Sequence, residues 1–359
     1  MAFSLNSYPV MYRAKFSGSW TEEFIEKPHK TKAEEDALPE IERERLIASR
    51  NYFNDMPLVN YSTQYGLSVF EGLKAFPQKD GSLAMFRPDR NAARFHKSME
   101  GLCMPPFPED LFVKACFEVV RRNAALGFAP AYKPEWEKDA FSTADAVYIR
   151  PFTYSEGGVG VKLSDEPWVM IICTTVSAYF ETGLKGAVVS KRIRATVNGT
   201  GWIKAASNYV ISALAKHEAA EAGFMECIFL DAAERSYVEE GSSCNIFFYL
   251  KSGELVTPEL GDTILPGITR ESIITLAREK GVKVVERRIS IDEAMSESRE
   301  CFVSGTAAGA TPVEAITYNG KMVEFNGGIC GDFTAEIRAA LKDIQYGKNA
   351  GPTGWMMRV

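Results

Sequence analysis

Lys204 stands in GWIKAASNY, between the apolar pair Trp202 and Ile203 and the small residues Ala205, Ala206 and Ser207. An ammonium is ordinarily placed where it reaches water. Either this is a surface lysine whose stem lies along apolar groups, or its amine does covalent chemistry. Three other stretches bear on the choice. LPGITR puts Gly267 at the start of a helical pattern, where the backbone N–H groups of Ile268 and Thr269 would be open to an anion; an ordinary helix start reads the same way. SGTAAGATP, residues 304–312, closes a strand-like run with small residues. Gly305 permits close backbone approach and Thr306 offers a hydroxyl, although a tight loop would use the same residues. VEEGSSCNIF sets Glu239 and Glu240 at the end of a strand. Neighbours in a strand face opposite ways, so at most one is expected to point inward and be paired, the other being solvated.

None of these signals is specific alone. A lysine for a Schiff base, a phosphate cup and a carboxylate for a protonated pyridine nitrogen are together what pyridoxal phosphate requires. The competing reading is a non-catalytic phosphate- or nucleotide-binding module with GTGWIK as its loop. Against it, Lys204 is not followed as in G-x-x-x-x-G-K-[ST], and no Rossmann fingerprint is present.

The elements that must position these residues fall into two groups. Residues 21–50 are charge-rich and read as an exposed arm or extra element. PLVNY, SVFEGLKAF and SLAMFR read as strands, the last two closed into a hairpin through Lys79, Asp80 and Gly81. Helices are expected from about Asp89 to Leu102, capped near Pro88 and Asp89, and from about Pro108 to Leu126, stopped by Gly127. DAVYIRPFTY and WVMIICTTV are strands, which makes residues 1–176 a small α+β domain with an N-terminal arm. SAYFETGLKG is turn-rich, and residues 177–187 are expected to link the domains.

The larger domain, 188–359, opens with AVVSKRIRATV. Apolar residues then recur at helical spacing from Ala206 to Ala220, ending at Gly223. MECIFLD, SYVEEGSSCNIFFYL, LVTP, VKVVERRI, ECFVSG and VEAITYNG read as strands. Helices follow Gly267 and span about 291–297 and 332–346. No internal repeat is present.

Composition bounds the function. The chain has 359 residues, 46% hydrophobic and 25% charged, with a net charge of −6. That suits a soluble globular protein, and argues against nucleic acid or an anionic membrane as partner. The N-terminus has no signal-peptide pattern, and no window has the roughly 18 apolar residues of a membrane span. The seven cysteines are scattered without a C-x-x-C, as in a reduced, cytoplasmic protein. The histidines, His29, His96 and His217, lie far apart, so no metal site is expected.

Taken in order, QYGLSVFEGLKAF, AMFRPDRNAARF, VYIRP, AYF, K-x-x-x-N-Y at 204–209, EEGSSCNIF, LVTPEL, ILPGITR and SGTAA resemble the branched-chain amino acid aminotransferases, of the fold-type IV pyridoxal-phosphate class. The resemblance runs from about Tyr61 to about Gly347 and is similar to the larger form that includes the eukaryotic enzymes. It implies a two-domain fold, mixed α+β and α/β, with a larger pseudo-barrel C-terminal domain, and a homodimer with shared active sites. It implies transamination of leucine, isoleucine and valine with 2-oxoglutarate.

The same resemblance implies roles. Lys204 matches the lysine that bonds the cofactor and shuttles the substrate's α-proton. Tyr209 matches the tyrosine on the cofactor's phenolic oxygen, five residues on, which would be about one and a half turns of helix. Glu240 matches the carboxylate on the pyridine nitrogen. Arg94, Ile268, Thr269 and Thr306 match the phosphate cup, although periodicity alone makes Arg94 a solvated helix arginine. Ser243 and Asn245 match positions supporting the cofactor face. Phe70, Tyr65, Tyr148 and Arg150 match the substrate pocket; Tyr148 and Arg150 share one strand face, where an arginine can hold glutamate's distal carboxylate. Ser243 stands where mammalian members border this pocket with a threonine. Thr306 and Ala307 match the backbone that binds the α-carboxylate, and Val159, Val161 and Tyr65 match groups that reach the partner subunit's pocket. One departure is plain: Ala308–Thr311 stands where mammalian members carry a redox C-x-x-C.

Overall fold

The computed structural model describes residues 5–176 and 186–359, so all of the expected linker but Gly186 and Ala187 lies outside the described residues. The chain divides into two compact units. The first comprises Met1–Ala178, Ile203–Ser207 and Ile344–Val359; the second comprises Tyr179–Trp202 and Asn208–Asp343. Two segments expected in the later domain, Lys204's own among them, therefore pack with the first unit.

In the first unit, strands β1 (Val10–Phe16) and β2 (Trp20–Glu26) precede short helices α1 (Lys32–Asp36), α2 (Glu40–Ser49) and α3 (Tyr61–Tyr65). Then come β3 (Leu73–Pro77), β4 (Leu83–Phe86), α4 (Pro88–Gly101), α5 (Glu109–Ala125), β5 (Ala146–Tyr154) and β6 (Trp168–Val176). With β17 (Met356–Arg358) they form one seven-stranded sheet, ordered β17-β4-β3-β5-β6-β1-β2. Its neighbours pair antiparallel, so that Tyr148 lies opposite Lys74 and Arg150 opposite Ile172. The expected hairpin forms, with Ala75 opposite Met85 and Gly81 at φ +84° in the turn, where a left-handed backbone favours glycine. Helices α4 and α5 bury Phe95, Met99, Phe112, Cys116 and Val119.

Two expectations in this unit need correction, and one open alternative is decided. PLVNY is not a strand. Asn60 instead caps α3, its side chain accepting from Thr63 N at 2.9 Å, because an Asx side chain satisfies a free N–H at a helix start. The cap of α4 is Arg87, at φ 49°, rather than Pro88 or Asp89. The charged arm is an extra structural element: β2 pairs with β1, and although α2 buries nothing, Arg50 is 1% exposed and ion-paired with Glu35. Arg50 also donates to the carbonyls of Ser7 and Pro28, which tie the arm down.

The second unit contains β7 (Ala187–Val189), α6 (Asn208–Glu221), β8 (Glu226–Leu230), β9 (Val238–Gly241), β10 (Asn245–Leu250) and β11 (Leu255–Thr257). These are followed by α7 (Ile268–Glu279), β12 (Val284–Glu286), α8 (Ile291–Glu297), β13 (Ser298–Gly305), β14 (Gly309–Pro312), β15 (Ala315–Tyr318), β16 (Lys321–Glu324) and α9 (Asp332–Gln345). Two five-stranded sheets result, β12-β11-β10-β13-β14 and β16-β15-β7-β8-β9. Ile228, Leu230 and Val238 from one sheet and Ile246, Phe248, Val256 and Val303 from the other share a single buried core. On the outer side of β8, α6 packs Ala215 and Ala219 against Cys227 and Phe229. Phe247 stacks on Phe302 and Tyr249 on Phe333, which seats α9 on the first sheet.

Candidate active site

Lys204 does not open a helix. Residues 203–207 run from a bend at Ile203 through a single bridge residue, Ala205, into a turn at Ala206 and Ser207, and α6 begins only at Asn208. Ala205 bridges antiparallel to Val69, Phe70 N donates to Lys204 O at 3.1 Å, and Ala206 N donates to Ser68 O at 2.8 Å. Lys204 N donates to Ser98 Oγ on α4 at 3.2 Å. Of the small residues that follow the lysine, Ala205 is fully buried at this bridge, and Ala206 and Ser207 form the turn that leads into α6. Tyr209, half-buried on α6, is separated from Lys204 by a break in geometry and not by one and a half helical turns.

Around the lysine the first unit gathers charge on aromatic faces. The ammonium of Lys204 lies 4.9 Å from the centre of the Phe70 ring, and the guanidinium of Arg150 lies 4.9 Å from the same centre. Both contacts are attractive, since a ring face is electron-rich. Tyr148 and Arg150 do share a strand face, and Arg150 Nη2 donates to Tyr148 Oη at 2.6 Å. Gly72 makes room for this tyrosine: a Cβ there would meet Tyr148 Oη at 2.2 Å. Arg150 Nε is buried with no partner among the described residues. Two cations, a phenol and a benzene ring suit a small anionic molecule with an apolar part.

Arg94 is not the solvated arginine that helix periodicity suggests. Its side chain is 9% exposed, with Nε 2.7 Å from Glu71 Oε1 and Nη2 2.9 Å from Glu71 Oε2. Glu71 is not among the residues that the motifs single out. Its signal is a carboxylate inside the apolar run SVFEGLKAF, which has to be paired if the run is buried.

In the second unit, Glu240 is 2% exposed and held on both oxygens. Oε1 accepts from Leu265 N and from Asn245 Nδ2 at 3.2 Å, and Oε2 lies 3.1 Å from Arg194 Nη2. Asn245 also donates to Leu265 O at 3.0 Å, so one amide joins the carboxylate to the loop entering α7. The expectation that Glu239 is solvated fails: Glu239 is 7% exposed. Burial pushes its carboxyl above the usual range, a bond to Thr263 opposing the shift. Here β9 is near its end and both strand faces are covered, so the period-two rule does not separate inside from outside.

Gly267 caps α7 with no side-chain hydrogen bond, and the first residues, Ile268 and Thr269, are each 7% exposed. A Cβ on Gly267 would meet Asn245 Oδ1 at 1.9 Å. A helix start that is buried and has no side-chain cap is a place for an anion. Thr306 and Ala307 lie half-buried in the turn joining β13 to β14, where the small residues predict a loop after the strand. Ser304 Oγ, at the end of β13, is buried with no partner among the described residues. Ser243 is exposed in the turn between β9 and β10.

Tyr65, Val159 and Val161 form a separate, exposed group in the first unit. Tyr65 is 42% exposed and accepts from Gly160 N at 3.1 Å, while Val159 and Val161 are 80% and 93% exposed.

The profile of the amino-transferase class IV family matches residues 68–316. The chain belongs to the class IV aminotransferases. It is 40% identical over 305 residues to branched-chain-amino-acid transaminase 1 of Bacillus subtilis, covering 82% of each chain. To the branched-chain-amino-acid aminotransferase of Mycolicibacterium smegmatis it is 38% identical over 307 residues, covering 82% of this chain and 80% of the other. Among solved structures, a T.th. branched-chain amino acid aminotransferase with pyridoxamine 5'-phosphate superposes with a TM-score of 0.72 at 30% identity, over 85% of this chain and 93% of that one. The holo-form of the Thermobaculum terrenum enzyme gives 0.72 at 25% identity over 98% and 99%.

Proposed function

We propose that this class IV aminotransferase exchanges amino groups between leucine, isoleucine or valine and 2-oxoglutarate, using pyridoxal 5'-phosphate. The observation that carries the reading is the placement of Lys204, fixed at its backbone by the pairing with Ser68–Phe70 and set with Arg150 on the Phe70 ring. Relatives about 40% identical over four-fifths of the chain bear this activity in their names.

The residues fit the cofactor. Glu240 is a buried, fully held carboxylate, and the start of α7 is buried and uncapped. Arg94, Ile268, Thr269 and Thr306 would hold the phosphate, Glu240 the ring nitrogen, Tyr209 the phenolic oxygen, and Ser243 and Asn245 the ring face. Bound there, pyridoxal phosphate supplies a carbonyl for the amine and an electron-accepting ring. Lys204 Nζ would take the proton from the substrate's α-carbon and pass it to the cofactor's former carbonyl carbon, and the second half of the exchange would run that transfer in reverse. Phe70, Tyr148 and Arg150 receive the substrate side chain: the ring faces take a branched aliphatic group, and Arg150 takes the distal carboxylate of glutamate. Thr306 and Ala307 receive the α-carboxylate.

We further propose a homodimer, in which Tyr65, Val159 and Val161 are covered by a second copy and reach its substrate pocket. The exposure of all three, tied together by the Tyr65–Gly160 bond, supports that reading. A cytoplasmic location goes with seven free cysteines, five of them buried. The two compact units are taken as the two domains.

The test is direct. Purified protein given pyridoxal phosphate should absorb in the near-visible, and borohydride should bleach it and fix the label on Lys204. Rates with L-leucine and D-alanine as amino donors should differ strongly in favour of L-leucine. Label on another residue, or preference for D-alanine, would refute the reading.

A further inference from the structure

Ser304 is 1% exposed near the end of β13, and its Oγ has no hydrogen-bond partner among the described residues. A buried hydroxyl ordinarily has one, because leaving it unpaired costs free energy. The register shows which way it faces. Ser304 lies directly opposite Asn245 on β10, and opposed residues of an antiparallel pair project to the same side of the sheet. On that side Asn245 Nδ2 donates to Leu265 O, and Asn245 Oδ1 lies 1.9 Å from where a Cβ on Gly267 would be. The hydroxyl therefore stands beside the chain that enters α7. Its other neighbours on this face are carbon: Phe302, stacked on Phe247, and Ala310, directly opposite on β14. The start of α7 has a matching need. Glu271 N donates to Gly267 O at 3.0 Å and begins the helical ladder, so the N–H groups of Ile268, Thr269 and Arg270 have no acceptor within the helix. No side chain caps them, and the three residues are 7%, 7% and 3% exposed. Three amides and a hydroxyl thus gather at one buried helix start.

We propose that Ser304 is a further binding residue for the phosphate monoester of the cofactor, its Oγ donating to a phosphate oxygen held on the amides that open α7. The inference rests on the reading of this chain as a pyridoxal-phosphate enzyme, and it adds a residue to Arg94, Ile268, Thr269 and Thr306. A phosphate monoester suits this set of donors because it offers three strong acceptor oxygens and close to two negative charges, where a carboxylate offers two oxygens and one charge. A neutral hydroxyl also suits the place: unpaired and buried, it costs far less than an unpaired cation would.

The experiment uses the full chain freed of cofactor and compares wild type, Ser304→Ala and Ser304→Cys with Ser298→Ala. Ser298 begins the same strand, and its Oγ is likewise buried without a partner among the described residues, so it controls for the loss of a hydroxyl as such. Each protein is titrated with pyridoxal 5'-phosphate and with pyridoxal, which lacks the phosphate. Uptake is read as borohydride-fixed label on Lys204. A hydrogen bond to a charged group is worth about tenfold in affinity or more. Ser304→Ala should therefore bind pyridoxal phosphate about tenfold more weakly and bind pyridoxal as wild type does. Ser304→Cys keeps nearly the same shape with a weak donor and should follow it. Ser298→Ala should leave both ligands unchanged. A merely structural hydroxyl would weaken both ligands alike, and one that holds a water would weaken neither; either result overturns the proposal, as does an equal selective loss in Ser298→Ala. If Ser304→Ala does not fold, the same comparison in Ser304→Cys decides. Inorganic phosphate, read by the thermal unfolding midpoint, separates this proposal from the aminotransferase reading. A wild type that takes up neither aldehyde but is stabilised by phosphate, with that stabilisation lost in Ser304→Ala, would sink the aminotransferase reading and leave the phosphate contact standing. A wild type indifferent to all three ligands would overturn both.

Discussion

Gly267→Ala is a one-methyl change whose cost can be worked from the structure. Gly267 has φ −72° and ψ 130°, a conformation open to alanine, so the backbone itself resists nothing. The obstacle is Asn245 Oδ1, 1.9 Å from where the methyl carbon would sit. Asn245 cannot retreat cheaply, because its amide bonds both Glu240 Oε1 and Leu265 O. Either those two bonds go, at about 1 kcal/mol each, or the helix start moves, at the roughly 1–3 kcal/mol of overpacking. The expected loss of stability is about 1–3 kcal/mol. Urea unfolding measures it, and a cycle with Asn245→Ala isolates its cause. Asn245→Ala alone should cost about 2 kcal/mol for its two bonds. The double variant should cost little more than Asn245→Ala, since the contact that remains is Arg270 Cβ at 3.2 Å, which a shift of a few tenths of an ångström relieves. A Gly267→Ala protein as stable as wild type, or a double variant whose costs simply add, would refute this account of the α7 entry.

Four other outcomes are expected. Lys204→Ala should show no steady-state transamination and no borohydride-fixed label; appreciable turnover would end the assignment. Arg150→Met should lower kcat/KM for 2-oxoglutarate about tenfold or more, the scale of a lost charged hydrogen bond, while kcat/KM for leucine changes less; equal losses would place Arg150 outside the carboxylate contact. Glu239→Gln should stabilise the protein at neutral pH by about 0.5–1 kcal/mol, since burial raises this carboxyl and its charged form is the penalised one. The raised native value means that this penalty is absent below the ordinary carboxylate range and grows as pH rises through the native value. Urea midpoints of wild type and variant should therefore coincide in acid and part toward neutral pH. Val161→Asp, at a 93% exposed position, should leave the fold intact and shift sedimentation from dimer to monomer.

The helices α4, α5 and α7 are legible in the sequence because each pairs an apolar stripe with a stop or start, Gly127 and Gly267 among them. The hairpin β3–β4 is legible from its turn residues. PLVNY misleads because residue types weigh toward a strand, while Asn60 and Thr63 together spell a cap that the apolar neighbours obscure. β1, VMYRAKF, does not stand out next to the charges of WTEEFIE, although its first three residues are all buried. In the candidate site, the motifs single out Lys204 and Glu240, but periodicity misplaces both Arg94 and Glu239. A carboxylate or guanidinium can be buried anywhere that its partner is, and the partner of Arg94 lies 23 residues away, in the segment before β3. Such a pair leaves no mark on either local pattern.

The pairing of Val69 with Ala205 spans about 135 residues of chain and brings in only five of them, Ile203–Ser207, before the backbone returns to the second unit. Closing a loop of that length costs entropy that local contacts do not offset, and contacts of such separation form slowly. Helices and hairpins of either unit can mature without it; the address of the lysine cannot. In this chain, then, uptake of pyridoxal phosphate would report more than occupancy. It would serve as a clock for folding, the yellow colour arriving after the secondary structure and dating the moment when the last distant stitch is drawn.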